Sequence, residues 1–324
     1  MAEVEIDKKW EDDFETKFKN KINSLINESS KKFDTKLNDF ENTIKNKIDN
    51  SFNSNELKNQ MNKICRNLVD NNYENNLVDA VLLCLSNVEP FTLFILEKKN
   101  EKGDYFSLFV KLLDDLWIKT VDKFESNLIP NQLKENEKQI YKSKNPGTII
   151  NFFLTKLHKE LNSNNTKLSE EFFIDYKNGK NPIVNLNIKK GTKSIISDYH
   201  FNMLDDNVDI EDLNNNILII NLNRERDPLH LIEIDYPENL ELKIKGKNKK
   251  YELISILLKE NIKLNGNLNY SEQPKYKVYL KNFFNQKWYL YCKNIELVEK
   301  GKEKEKEILD GHKALLLVYK KIID

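Results

Sequence analysis

The chain has 324 residues, enough for one large domain or two modest ones with a sizeable core. Lys+Arg and Asp+Glu are both 52, so no global basic field points to nucleic acid, and direct nucleic-acid contact is not expected. Three scattered cysteines, Cys65, Cys84 and Cys292, argue against a disulfide framework and against a structural zinc site.

Residues 1–66 read as an amphipathic helical extension. Apolar residues at Trp10, Phe14, Phe18, Ile22, Leu25 and Ile26, then Phe33, Leu37, Phe40, Ile44 and Ile48, recur at steps of three and four between Lys, Asp, Glu and Asn. Asn27-Glu-Ser-Ser30 is expected to break the run into a helical hairpin, with Ser30 as N-cap. So narrow a stripe suits either packing on the chain's own domain or docking a partner through Trp10, Phe14, Phe18 and Ile22.

From about 67 to 165 the helical period persists, in Leu77 to Leu85, Tyr105 to Trp117 and Ile149 to Leu161. From about 170 the pattern changes to short β-type runs: Ile183 to Ile188, Ile217 to Leu222, Leu229 to Ile234, Tyr251 to Leu258 and Ala314 to Tyr319. Lys177-Asn-Gly-Lys180 and Leu264-Asn-Gly-Asn267 are turn signals, and Lys245-Gly-Lys-Asn-Lys-Lys250 reads as a basic hairpin turn. Helices first and strands second predict an α+β fold. No apolar run reaches transmembrane length and the N-terminus lacks a signal-peptide core, so an intracellular, soluble protein without membrane contact is expected.

Three late segments carry a resemblance. Asn216-Ile-Leu-Ile-Ile-Asn-Leu-Asn-Arg224, Tyr251-Glu-Leu-Ile-Ser-Ile-Leu-Leu258 and Tyr276-Lys-Val-Tyr-Leu280, leading to Lys287-Trp-Tyr-Leu-Tyr291, are similar in order and spacing to the closing strands of the ubiquitin-specific proteases. Upstream, Leu68 to Asn87 resembles the family's nucleophile box, anchored on Val81-Leu-Leu-Cys-Leu-Ser-Asn-Val-Glu-Pro90. Lys144-Asn-Pro-Gly-Thr148 and its continuation resemble the family's Gln-Asp-Ala-x-Glu-Phe helix.

The resemblance covers residues 67–324 and implies a papain-like architecture. It would have a helical thumb over about 67–165, and a β palm with reduced fingers over about 166–324, since the family's zinc-binding Cys pairs are missing. It also implies that catalysis is lost. Asn76 falls at the nucleophilic Cys position, Lys275 (in Pro274-Lys275-Tyr276) at the general-base His, and Lys293 at the residue that orients that His. Asn71 falls where the family keeps its oxyanion-hole Asn. An amide has no thiolate and a lysine is no imidazole base, so no acyl-enzyme is expected.

The box around Asn75-Asn76, with its Leu-Ser-Asn-Val-x-Pro, is most similar to the inactive tri-snRNP-associated branch of the family. That likeness implies a non-enzymatic scaffold within a larger protein or ribonucleoprotein complex, in nucleus or cytoplasm, without cofactor or metal. A ubiquitin-binding regulator that shields conjugates is the alternative, and a residual cysteine-type deubiquitinase working through Cys292 or a misaligned site is a third. Gly311-His312 lacks the strand and carboxylate that a His box needs after it. Cys84, on an apolar helix face, reads as a core residue, and His158 and His200 as packing or surface residues.

Overall fold

A computed structural model describes residues 14, 17–36, 57–59, 61, 76–119, 127–161, 172–176, 179–188, 210–212, 215–224, 232–244, 247–259, 276–291, 295–299, 308 and 311–322. The chain divides into two compact units, Met1–Asn59 and Gln60–Asp324.

In the first unit Phe14 and residues 17–36 are helical, and the latter are α1. The helix runs unbroken through Asn27 to Ser30, so the hairpin expected there does not form. Ser and Asn are only mildly unfavourable inside a helix, and no Gly or Pro interrupts the backbone. Lys32 Nζ reaches Glu28 Oε1 at 2.7 Å across one turn, and the Thr35 hydroxyl donates to Lys31 O at 2.9 Å.

The second unit opens with six helices: α2 (Asn76–Ser86), α3 (Glu89–Glu97), α4 (Asp104–Trp117), α5 (Leu128–Asn136), α6 (Lys138–Tyr141) and α7 (Pro146–Glu160). Pro90 in the first turn of α3 and Pro146 in that of α7 sit where a helix has no N–H bond to lose. The apolar spacing of α4 turns Phe106, Phe109, Leu113 and Trp117 inward, all fully buried. Edge-on aromatic contacts join α3, α4 and α7, with Phe91–Phe109 at 5.7 Å and Phe109–Phe153 at 5.2 Å between ring centroids.

The strands are β1 (Ile174–Tyr176), β2 (Gly179–Asn181), β3 (Val184–Asn187), β4 (Ile210–Asp212), β5 (Ile217–Asn223), β6 (Asn239–Ile244), β7 (Lys247–Lys259), β8 (Tyr276–Lys281), β9 (Trp288–Tyr291), β10 (Ile295–Leu297) and β11 (Ala314–Lys321). A small sheet has the order β2-β1-β4, its β1–β2 hairpin turning at the predicted Lys177-Asn178. The main sheet has the order β10-β9-β8-β7-β11-β5-β3, with β6 also on β7. Residues 245–246 lie at the β6–β7 turn, with Ile244 opposite Lys247, as the basic hairpin reading expected.

All these pairings are antiparallel except β3 with β5. Strand β5 is buried along nearly its whole length, which explains why its sequence is an apolar run rather than an alternation. Of the expected strand at Leu229 to Ile234, the described part, Ile232 to Ile234, is irregular. There the Ile232 carbonyl accepts from the Arg224 guanidinium at 2.8 Å. Arg224 also donates from Nε to Ala314 O at 2.9 Å and from a terminal nitrogen to Gly311 O, so main-chain oxygens satisfy this buried cation. Gly311 is required at that approach, because a Cβ would collide with the Ile234 carbonyl.

Candidate functional site

The positions that the sequence assigns to chemistry belong to the starts of α2 and β8. Asn76 is the first residue of α2, and Tyr276, which follows Lys275, is the first residue of β8. Helix α2 packs against β8, β7 and α7. At its far end Asn87 is buried, and its side-chain amide donates to Lys281 O at 3.0 Å and to Ile254 O at 3.4 Å. Lys281 ends β8. A polar link therefore joins the C-terminal ends of α2 and β8, whose N-terminal ends are Asn76 and Tyr276.

The same α2 end is held from the helical side. Ser86 O accepts the Trp117 indole N–H at 3.0 Å and the Thr92 hydroxyl at 2.7 Å, and the Ser86 hydroxyl donates back to Leu82 O at 2.7 Å. The Leu-Ser-Asn-Val-Glu-Pro stretch thus serves as a joint between helices and sheet, with Glu89 completing it through an ion pair to Lys320 of β11 at 2.8 Å.

The second sequence box, Lys144 to Thr148, forms the start of α7. Asn145 caps it, its Oδ1 accepting from the N–H of Gly147 at 2.9 Å and of Thr148 at 3.4 Å. The Gly147 N–H also reaches Asn221 Oδ1 on β5 at 3.2 Å, and a Cβ at Gly147 would lie 2.5 Å from Asn221 Cγ. Asn221 Nδ2 in turn donates to Asn185 Oδ1 at 2.8 Å, and Asn223 repeats the bond to Asn187 at 2.9 Å. Sequence reasoning passed over this ladder, yet a signal was present. The triplet Asn-Leu-Asn occurs at 185–187 and again at 221–223, and the parallel register sets the two copies side by side.

Lys259 ends β7 and pairs in register with Tyr276. Burial, and then the charge of Lys144, hold the Lys259 ammonium below the usual lysine range. Burial also pushes the Tyr276 phenol up to about 12. The start of α7, the end of β7 and the start of β8 thus present two lysines and a protonated phenol.

Cys84 lies inside α2 with no solvent exposure, and desolvation raises its thiol well above the ordinary range, which keeps it protonated. His158 packs against Phe173 at 5.1 Å, and His312 faces Glu233 at 3.6 Å. Among the described residues no group of three or more His, Cys, Asp or Glu is placed to hold a metal ion. Nor is any single described helix long and apolar enough to cross a membrane.

Trp10, Asn71, Lys275 and Lys293 lie outside the described residues, as do Cys65, Cys292 and His200. For Asn76 only the backbone position is described. Phe14, Phe18 and Ile22 lie on the helix of the first unit, all three exposed.

No family model matches the chain, and no curated protein does. Solved structures do match. A chain of the yeast SAGA DUBm with a Sgf73 mutant is similar over 82% of this chain and 70% of its own length, at a TM-score of 0.57 and 15% identity. A chain of the SAGA Ubp8/Sgf11/Sus1/Sgf73 DUB module bound to ubiquitin aldehyde is similar over 81% and 71%, at a TM-score of 0.59 and 15% identity. The crystal structure of an essential yeast splicing factor matches over 76% and 67%, at a TM-score of 0.58 and 16% identity. The chain has the α+β fold of the ubiquitin-specific proteases.

Proposed function

We propose that this chain is a catalytically inactive ubiquitin-specific-protease-like protein that works as a non-enzymatic scaffold or interaction subunit of a larger intracellular complex. The observation that carries the reading is the joint replacement of three positions in its sequence: Asn76 for the nucleophile, Lys275 for the general base and Lys293 for its orienting partner. A nucleophile, its base and the group that orients the base act as a unit, so losing any one removes several orders of magnitude in rate. The retained Asn71 would have no tetrahedral intermediate to stabilise.

The spliceosomal tri-snRNP is the assembly this reading favours, on the sequence likeness at Asn75-Asn76 and on the shared fold with a yeast splicing factor. The reading invokes no cofactor and no metal. Two measurements test it. A ubiquitin probe with a C-terminal electrophile should leave every cysteine of the folded chain unlabelled, and labelling of Cys292 or any other would sink the inactive reading in favour of a residual deubiquitinase. Native purification of the tagged chain should retain a stoichiometric set of splicing subunits, and recovery of the lone chain would remove the scaffold reading.

A second reading is a ubiquitin-binding regulator that shields conjugates. What favours it is the shared fold with a chain of a module bound to ubiquitin aldehyde. Titration with monomeric ubiquitin decides it: saturable binding supports it, and a flat titration ends it.

A further inference from the structure

The helix of the first unit carries an apolar face that the described residues leave open. Phe18 is 56% exposed, Ile26 57% and Phe33 66%, and Ile22 and Leu25 lie on the same face. At 100° per residue, Phe18, Ile22, Leu25, Ile26, Ser29 and Phe33 all fall within about 100° of arc. Charged residues border this arc on both sides. Lys17, Lys21, Glu28 and Lys32 follow one edge, and Lys19 and Asp34 the other.

We propose that this face pairs with the same face of a second copy of the chain, with the two helices antiparallel. The register is set by placing Leu25 against Ile26, which puts Phe18 against Phe33 and Ile22 against the small Ser29 of the other copy. In an antiparallel pair, residues along one edge meet the same edge of the partner helix. Lys21 then meets Glu28, and on the other edge Lys19 meets Asp34. The two-fold symmetry makes each of these contacts twice.

The arrangement carries one like-charge contact, Lys17 with Lys32. The bond from Lys32 to Glu28 of its own helix offsets that contact. A parallel pair matches the charges less well, because it brings the Lys17 and Lys21 edge against Lys19. Charge therefore selects the antiparallel second copy, while the apolar matching supplies the affinity. The pairing goes beyond the scaffold reading and does not depend on whether the cleft is active.

The full chain is the sample for the test, by light scattering and sedimentation equilibrium up to about 100 µM, a range that reads micromolar affinities. Twice the 38.4 kDa chain mass is expected at low salt, declining as salt is raised. Phe18→Glu should weaken association by roughly tenfold or more. Because Phe18 is exposed, that variant keeps the fold, and an unchanged thermal transition checks this. Lys21→Glu alone sets Glu against Glu28 and should weaken the pair, as should Glu28→Lys alone, which sets Lys against Lys21. Mixing the two variants restores both opposite-charge contacts and should recover the dimer as a heterodimer. A single-chain mass throughout, a dimer that survives Phe18→Glu, or a mixture that fails to recover would each overturn the proposal.

Discussion

The amide of Asn87 donates to the carbonyl of Lys281 across 194 positions of sequence, at 3.0 Å. One side chain thereby fastens the end of α2 to the end of β8, and its second bond, to Ile254 O, reaches β7 as well. Asn87→Ala leaves two carbonyls of a buried joint without that donor. The expected cost is about 2 kcal/mol of unfolding free energy, the scale for unsatisfied buried polar groups. Urea denaturation measures it, and a loss below about 0.5 kcal/mol would mean that the joint is held by packing alone.

Helix α4 begins without a side-chain cap of its own, and Glu160, at the end of α7, supplies one. Its carboxylate accepts from the N–H of Tyr105 at 3.2 Å and of Phe106 at 2.8 Å. A negative charge there also complements the positive end of the α4 dipole. Gly103 leaves room for it, since a Cβ would come within 2.6 Å of Glu160 Oε2. Glu160→Ala should cost about 1 kcal/mol, the usual value of a cap. Gly103→Ala should cost more in the native background than in Glu160→Ala, because the two sites share one space. A double-mutant cycle that closes to zero would refute that coupling.

Cys84 is expected to be chemically silent. Its thiol has no solvent access and burial keeps it protonated, so the thiolate that reacts with alkylating agents is missing. Treatment of the native protein with iodoacetamide, followed by peptide mass mapping, should find Cys84 unmodified, and the same treatment in urea should modify it fully. Native-state modification at the rate of a free thiol would show that α2 opens readily.

Alkaline pH should destabilise the second unit. Burial raises the Tyr276 phenol to about 12. Tyr105 is raised to about 12 by burial and then by the charges of Glu137, Glu160 and Asp104, and Tyr319 is raised further by burial and by Tyr236. The folded state holds these protons more tightly than the unfolded chain, whose tyrosines ionise near the ordinary value of about 10. Their stabilising contribution is therefore complete below about pH 10 and is lost as pH rises through about 12. Absorbance at 295 nm should show part of the 13 tyrosines ionising late and together with unfolding. A single titration of all of them near pH 10 in a protein that stays folded would contradict this.

Much of the architecture was legible because it depends on local period. The apolar steps of Leu77 to Leu85, Tyr105 to Trp117 and Ile149 to Leu161 sit on α2, α4 and α7, and the runs at 217–222, 251–258 and 314–319 sit on β5, β7 and β11. Side-chain periodicity is a property of neighbouring residues, so a linear reading recovers it. Two expectations failed for the same reason. At Asn27 to Ser30 propensity alone suggested a break, and one helical ion pair spans it. At Ile232 to Ile234 an apolar run suggested a strand, and the backbone carbonyl serves a buried arginine instead.

The sequence by itself determined which residue types stand at the positions that matter for chemistry, because substituting an amide for a thiol or a lysine for an imidazole is a fact of composition that folding does not alter. Only the tertiary structure decided the strand order, with β11 inserted between β5 and β7 and β3 added in parallel at the edge. It also decided which polar side chains reach across the fold: Asn87 to Lys281, Glu160 to the start of α4, and Asn221 to both Gly147 and Asn185. Those partners lie tens to hundreds of residues apart. The energy of such a bond depends on what burial brings opposite each group, and no local pattern encodes that.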